Sequence, residues 1–174
     1  MSDADRPDFP WRWLLPSLAL LLCLTVWGIG IYPRLPERVP QHIGPDGIDA
    51  WTEKSVGAVF VPVFVHAGNV ALTAAVAAAT LRMRPADEIP PGQRASALVN
   101  RPSTRASAAR TARATLQLAL CIGLSLAVTC AVMWRTEPDP HVPAWLFAAV
   151  LAPVALGVVL VLAAAVRDRR ERRK

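Results

Sequence analysis

Leu14-Leu15-Pro16-Ser17-Leu18-Ala19-Leu20-Leu21-Leu22-Cys23-Leu24-Thr25-Val26-Trp27-Gly28-Ile29-Gly30-Ile31-Tyr32-Pro33 contains no Asp, Glu, Lys or Arg and is apolar around its whole circumference. A helix that met water on one side would carry a polar stripe, so a stretch without one belongs in lipid. Three more charge-free windows follow, Ser55 to Leu81, Ala114 to Trp134 and Val142 to Val166. At a rise of about 1.5 Å per residue, about 20 residues cross the roughly 30 Å hydrocarbon core, and each window is long enough. The expected fold is all-α: an integral membrane bundle of four transmembrane helices.

The flanks agree. Trp11 and Trp13 precede the first window and Tyr32 closes it, Trp134 closes the third, and Trp145 begins the fourth. Amphipathic rings favour that interfacial depth. The second window is overlong, about 40 Å if fully helical, so it must tilt, kink at Pro62 or extend beyond the lipid. A kink is also expected at Pro153, and Pro16 falls near the start of the first span. Cys23, Cys121 and Cys130 all lie inside spans, where a thiol behaves as a small hydrophobe, and no CxxC or disulfide framework is present.

Basic residues set the orientation. The N-terminal arm has Arg6 and Arg12, the middle connection has seven arginines from Arg82 to Arg113, and the tail has five arginines and Lys174. Only Arg34, Arg38, Lys54 and Arg135 lie on the other side. A bias of 15 to 4 places both termini in the cytoplasm and the loop between helices 1 and 2 outside. The formal charge of +6 is thereby explained next to an anionic leaflet, and no nucleic acid is expected as a partner. The first apolar run exceeds a signal-peptide core of about 7 to 15 residues, and Gly28 to Pro33 lacks an Ala-x-Ala-type site, so an uncleaved anchor is expected.

Four regions result: 1–81, containing helix 1, the external loop and helix 2; the basic cytoplasmic connection 82–113; the hairpin of helices 3 and 4, 114–166; and the basic tail 167–174. Within the connection, Arg84 to Gly92 reads as an irregular loop and Ser103 to Arg113 as a helical lead into the third span. Arg135 to His141 reads as a tight turn. Small residues at four-residue spacing mark contact faces in lipid: Ala119, Gly123, Ala127 and Ala131 on the third helix, and Ala67, Ala71, Ala75 and Ala79 on the second.

The external loop, Leu35 to Lys54, is the most distinctive polar segment. Pro36, Pro40 and Pro45 fix the backbone at three points while Gly44 and Gly47 permit turns, so one shape without regular structure is expected. Its candidate binding residues are Pro36, Pro40, His42, Asp46, Gly47, Asp49, Trp51 and Lys54. His42, Asp46, Asp49, Glu53, Glu137, Asp139 and His141 gather on the outer side, but Asp46-Gly47 reads as a turn and the spacing defines no metal site. Neither a metal nor another cofactor is expected.

Inside the membrane, His66, Asn69 and Thr73 share one face of the second helix. In a transporter they would line a path; in a bundle they would form interhelical hydrogen bonds worth roughly 0.6 to 2 kcal/mol each. With no carboxylate beside His66 to relay a proton, the bundle reading is preferred. HExxH, GxSxG, a phosphate-binding glycine loop and paired intramembrane aspartates are all missing, so no enzyme is expected.

Leu35-Pro36, Val39-Pro40, His42, Gly47, Asp49, Trp51 and Lys54, placed between two transmembrane helices, resemble the bacterial membrane family called domain of unknown function 1648. The resemblance covers roughly the first 80 residues. The same domain forms the N-terminal part of SdpI-type immunity proteins, which carry more helices after it than the two found here. The resemblance implies a multi-pass protein of the bacterial cytoplasmic (inner) membrane. Its expected partners are the lipid bilayer, an extracytoplasmic peptide or envelope protein bound by loop 33–54, and a second copy of the chain. The expected role is that of a binding and sensing or immunity-type protein using loop 33–54; the alternative is a small transport component or transporter accessory subunit with a polar path along His66, Asn69 and Thr73.

Overall fold

The computed structural model describes residues 7–44, 47–90, 101–137 and 141–173. Among the sequence-predicted residues, Arg6, Pro45, Asp46, Gly92, Arg94, Asp139 and Lys174 lie outside these. Helix α1 runs Trp11–Ile31 and ends in a 3-10 turn, Tyr32–Arg34. Strands β1 (Arg38–Gly44) and β2 (Gly47–Glu53) follow, then the short helix α2 (Val56–Val59), α3 (Val61–Arg82), α4 (Arg105–Met133) and α5 (Leu146–Glu171). α1, α3, α4 and α5 are each long and apolar enough to cross a membrane. The chain is a multi-pass membrane protein.

Two expectations about the second window and the loop are corrected. The loop is not without regular structure, and the described chain is not all-α: β1 and β2 form a two-stranded antiparallel sheet. In a two-stranded ribbon both strands are edges, so Pro40 sits in β1 without leaving a central ladder unpaired. The second window is not one helix either. Ser55 caps α2 by accepting a hydrogen bond from the Ala58 amide, Phe60 breaks the helix at φ −96°, ψ 7°, and Pro62 stands at the second position of α3. A proline there removes a donor that has no intrahelical partner anyway.

α4 lies at the centre and packs against α1, α3 and α5. Its start follows from Thr104, whose hydroxyl accepts from the Ser107 amide at 3.1 Å, a side-chain cap of the usual kind. The small-residue rows are only partly at contacts. Ala119 and Gly123 are buried on α4, but Ala131 is exposed, as are Ala71, Ala75 and Ala79 on α3. α3 instead buries His66, Val70, Thr73, Ala77 and Leu81, a stripe with helical period anchored by polar groups rather than by the smallest side chains.

Two apolar clusters tie the bundle. At one end Leu14, Val70, Ala77, Leu81, Ala112 and Leu116 pack together. At the other, Leu24, Leu35, Val39, Val59, Phe60, Val63, Cys130 and Trp134 do so. Trp134, at the end of α4, is turned into the protein: it is 3% exposed, meets Trp27 edge-on at 5.0 Å, and donates its indole N–H to the Val59 carbonyl at 3.0 Å. The cysteines are free, Cys121 and Cys130 buried and Cys23 exposed.

Candidate functional site

The hairpin is the candidate site, and its two ends are built differently. At its base, Leu35 and Val39 enter the helix cluster, each removal from water contributing about 1.5 to 3 kcal/mol. Lys54 closes this base. Its amide donates to the Glu37 carbonyl at 2.7 Å, its ammonium donates to the Leu35 carbonyl at 2.8 Å, and the same group lies 5.8 Å from the Tyr32 ring centroid. Lys54 thus fastens the base of the hairpin while also lining the groove beside Trp51. Lys54→Met should loosen the hairpin by about 1.5 to 3 kcal/mol, the range for a charge-assisted bond. Hydrogen exchange of the β1 and β2 amides, faster in the variant while α4 is unchanged, would check this.

Towards the tip the ladder is irregular. Pro40 faces Trp51, but His42 faces Ala50 and Ile43 faces Ile48, so Gln41 and Asp49 each stand outside the regular register. Such bulges re-aim side chains. Here they bring His42 Nδ1 to 2.6 Å from Asp49 Oδ1, with the side chains 67% and 57% exposed. Gly47 has φ +126°, a backbone conformation that side-chain-bearing residues avoid, and so permits the reversal. Pro40 is buried and Pro36 half-buried. Trp51 is half-buried and lines an open groove of about 660 Å³ with Glu37, Arg38 and Glu53. Asp46 lies outside the described residues. Among the described residues no group of three His, Cys, Asp or Glu is placed to hold a metal.

The intramembrane polar residues sit elsewhere, between α1, α3 and α4. His66 is 0% exposed and its Nε2 donates to the Ser17 carbonyl at 3.2 Å. Asn69 donates from Nδ2 to the Ala119 carbonyl at 3.0 Å, and the Thr73 hydroxyl donates to the Asn69 carbonyl at 2.6 Å. The imidazole lies against Gly123, where an added Cβ would stand 2.3 Å from Cε1. The row thus spends its donors on neighbouring backbone.

A second polar centre, at the arginine-rich end, is barely visible in the sequence. Asp168 Oδ1 accepts from the Ser103 amide at 2.8 Å, from the Ser103 hydroxyl at 2.5 Å and from the Ser107 hydroxyl, while Oδ2 accepts from Arg172 Nη2 at 2.9 Å. Beside it, Arg105 grips Glu88 with two bonds of 2.7 Å and Arg110 pairs with Glu171. The Ala86 and Asp87 amides bond the Pro102 and Ser103 carbonyls. The whole clamps the C-terminal end of α5 to the start of α4. Its one sequence sign is that Asp168 is the first acidic residue beyond the last apolar window, spaced one helical turn from Arg172.

These features define a helical multi-pass membrane protein carrying a docked β-hairpin between its first two spans. Residues 18–65 match the family model described as a domain of unknown function, DUF1648, the family whose resemblance the loop carries. The matched stretch starts within α1, takes in the hairpin and α2, and ends in the first turns of α3. No curated protein matches the chain, and no solved structure does.

Proposed function

We propose that the chain is a binding and sensing protein of a bacterial cytoplasmic membrane, in which the β1–β2 hairpin faces outward and recognises a peptide or envelope protein. The observation that carries this reading is the hairpin's construction: Leu35, Val39 and Lys54 hold its base to the helices, while His42, Asp49 and one side of Trp51 remain open to solvent. A preorganised, exposed surface binds without a large ordering cost. The arginine bias supports the outward orientation. The immunity role of SdpI-type proteins fits the same surface. No reaction is assigned to the protein.

A transport path along His66, Asn69 and Thr73 gains no support from their geometry, because each donates a hydrogen bond to nearby backbone. The test is photocrosslinking in the native membrane from a probe at His42 or Trp51. Capture of one specific peptide or envelope protein, lost from the Trp51 probe when His42→Ala is added, is the expected result. Capture of lipid alone, or only of the protein's own helices, would overturn the proposal.

A further inference from the structure

α4 separates α3 from α5, and between these outer helices, at the arginine-rich end, lies a cavity of about 170 Å³. Its walls change character along the helix axis. Met83 beside α3 and Val161 and Ala165 on α5 supply apolar surface; Arg101 and Arg169 supply positive charge. Val161 and Ala165 belong to the last apolar window, and Arg169 lies beyond its end at Val166. From Val161 to Arg169 the helix rises about 12 Å, so the cavity runs from hydrocarbon depth into the headgroup layer.

The charges are unequally engaged. Asp168, which also lines the cavity, has both carboxylate oxygens occupied by Ser103, Ser107 and Arg172. Arg105, Arg110 and Arg172 are all paired with carboxylates. The two cavity arginines differ: the Arg101 guanidinium bonds only a backbone carbonyl, that of Arg84, and its buried Nε has no partner among the described residues, while the Arg101 carbonyl accepts from Arg172. Arg169 forms no ion pair or hydrogen bond among them and is exposed. With the Asp168 carboxylate already engaged, two cations with unused donors favour an anion, and the apolar walls favour one that carries a hydrocarbon tail.

We infer that this cleft holds one anionic phospholipid, its phosphate against Arg101 and Arg169 and an acyl chain along Val161 and Ala165. Bound there, the lipid joins α3 to α5 across α4. The site is separate from the hairpin and does not depend on what the hairpin recognises.

The test uses the full chain purified in a neutral detergent, with phosphatidylglycerol or phosphatidylcholine added and adducts counted by native mass spectrometry. One saturable phosphatidylglycerol adduct is expected, with Arg169→Gln weakening it about fivefold, the effect of one basic residue on anionic lipid. Ala165→Phe, which fills the apolar wall without altering charge, should also remove the adduct. Equal retention of phosphatidylcholine, or an adduct indifferent to both variants, would overturn the inference. So would displacement of the lipid by inorganic phosphate, which would define a free-anion site.

Discussion

Gly123→Ala should destabilise the bundle by about 2 to 3 kcal/mol, the upper part of the range for overpacking a tight interior. One methyl suffices because of what it meets. A Cβ at residue 123 would lie 2.3 Å from His66 Cε1, 2.7 Å from Nε2 and 2.9 Å from Nδ1. The ring has no room to withdraw: it is fully buried and tied through Nε2 to the Ser17 carbonyl. Relief therefore requires α3 and α4 to move apart, which would also lengthen the Asn69 bond to Ala119. Unfolding in mixed detergent would measure the loss. The double variant Gly123→Ala with His66→Ala should be more stable than the sum of its parts by about 1 to 2 kcal/mol, since the new methyl then enters the vacated space. An additive result, or a Gly123→Ala protein as stable as the parent, would mean that this contact does not set the helix spacing.

Asp168→Ala should have a comparable effect, about 3 kcal/mol, by leaving the Ser103 amide, two hydroxyls and the Arg172 guanidinium without their shared acceptor. Hydrogen exchange at the Ala86 and Asp87 amides should accelerate with it, because their bonds to the Pro102 and Ser103 carbonyls border the same carboxylate. Asp168→Asn, which keeps the shape of the side chain but removes its charge, should recover only part of that loss; full recovery would show that the ionised carboxylate contributes nothing beyond its shape.

The spans were legible because absence of charge over a whole window is a local property, readable without knowing any neighbour. The hairpin was not. Its burial pattern places Val39 and Pro40 both inward and Gln41 and His42 both outward, so the two-residue alternation that announces a strand is broken by the bulge beside Pro40. The loop's identity was nonetheless readable from its prolines, His42, Trp51 and Lys54, since those residue types at those spacings carry the family resemblance. Gly123 was legible as a small residue on a helix face, but its partner, His66, was expected beside other polar groups of its own helix. The inward turn of Trp134 was not legible because a sequence gives only position in a window, and its partner Val59 is 75 residues away. Asp168 hid for the same reason, its acceptor role being set by serines 61 and 65 residues distant.

The indole of Trp134 bears on how the molecule is assembled during synthesis. Val59 ends α2, and a carbonyl at a helix terminus needs a partner from outside that helix. Its partner arrives only when the last residues of α4 have been made, long after the stretch matched by the family model has left the ribosome. Cys130 joins the same cluster from the same late segment. The stretch that can be recognised by its sequence is therefore completed, in the folded molecule, by a helix that lies outside it.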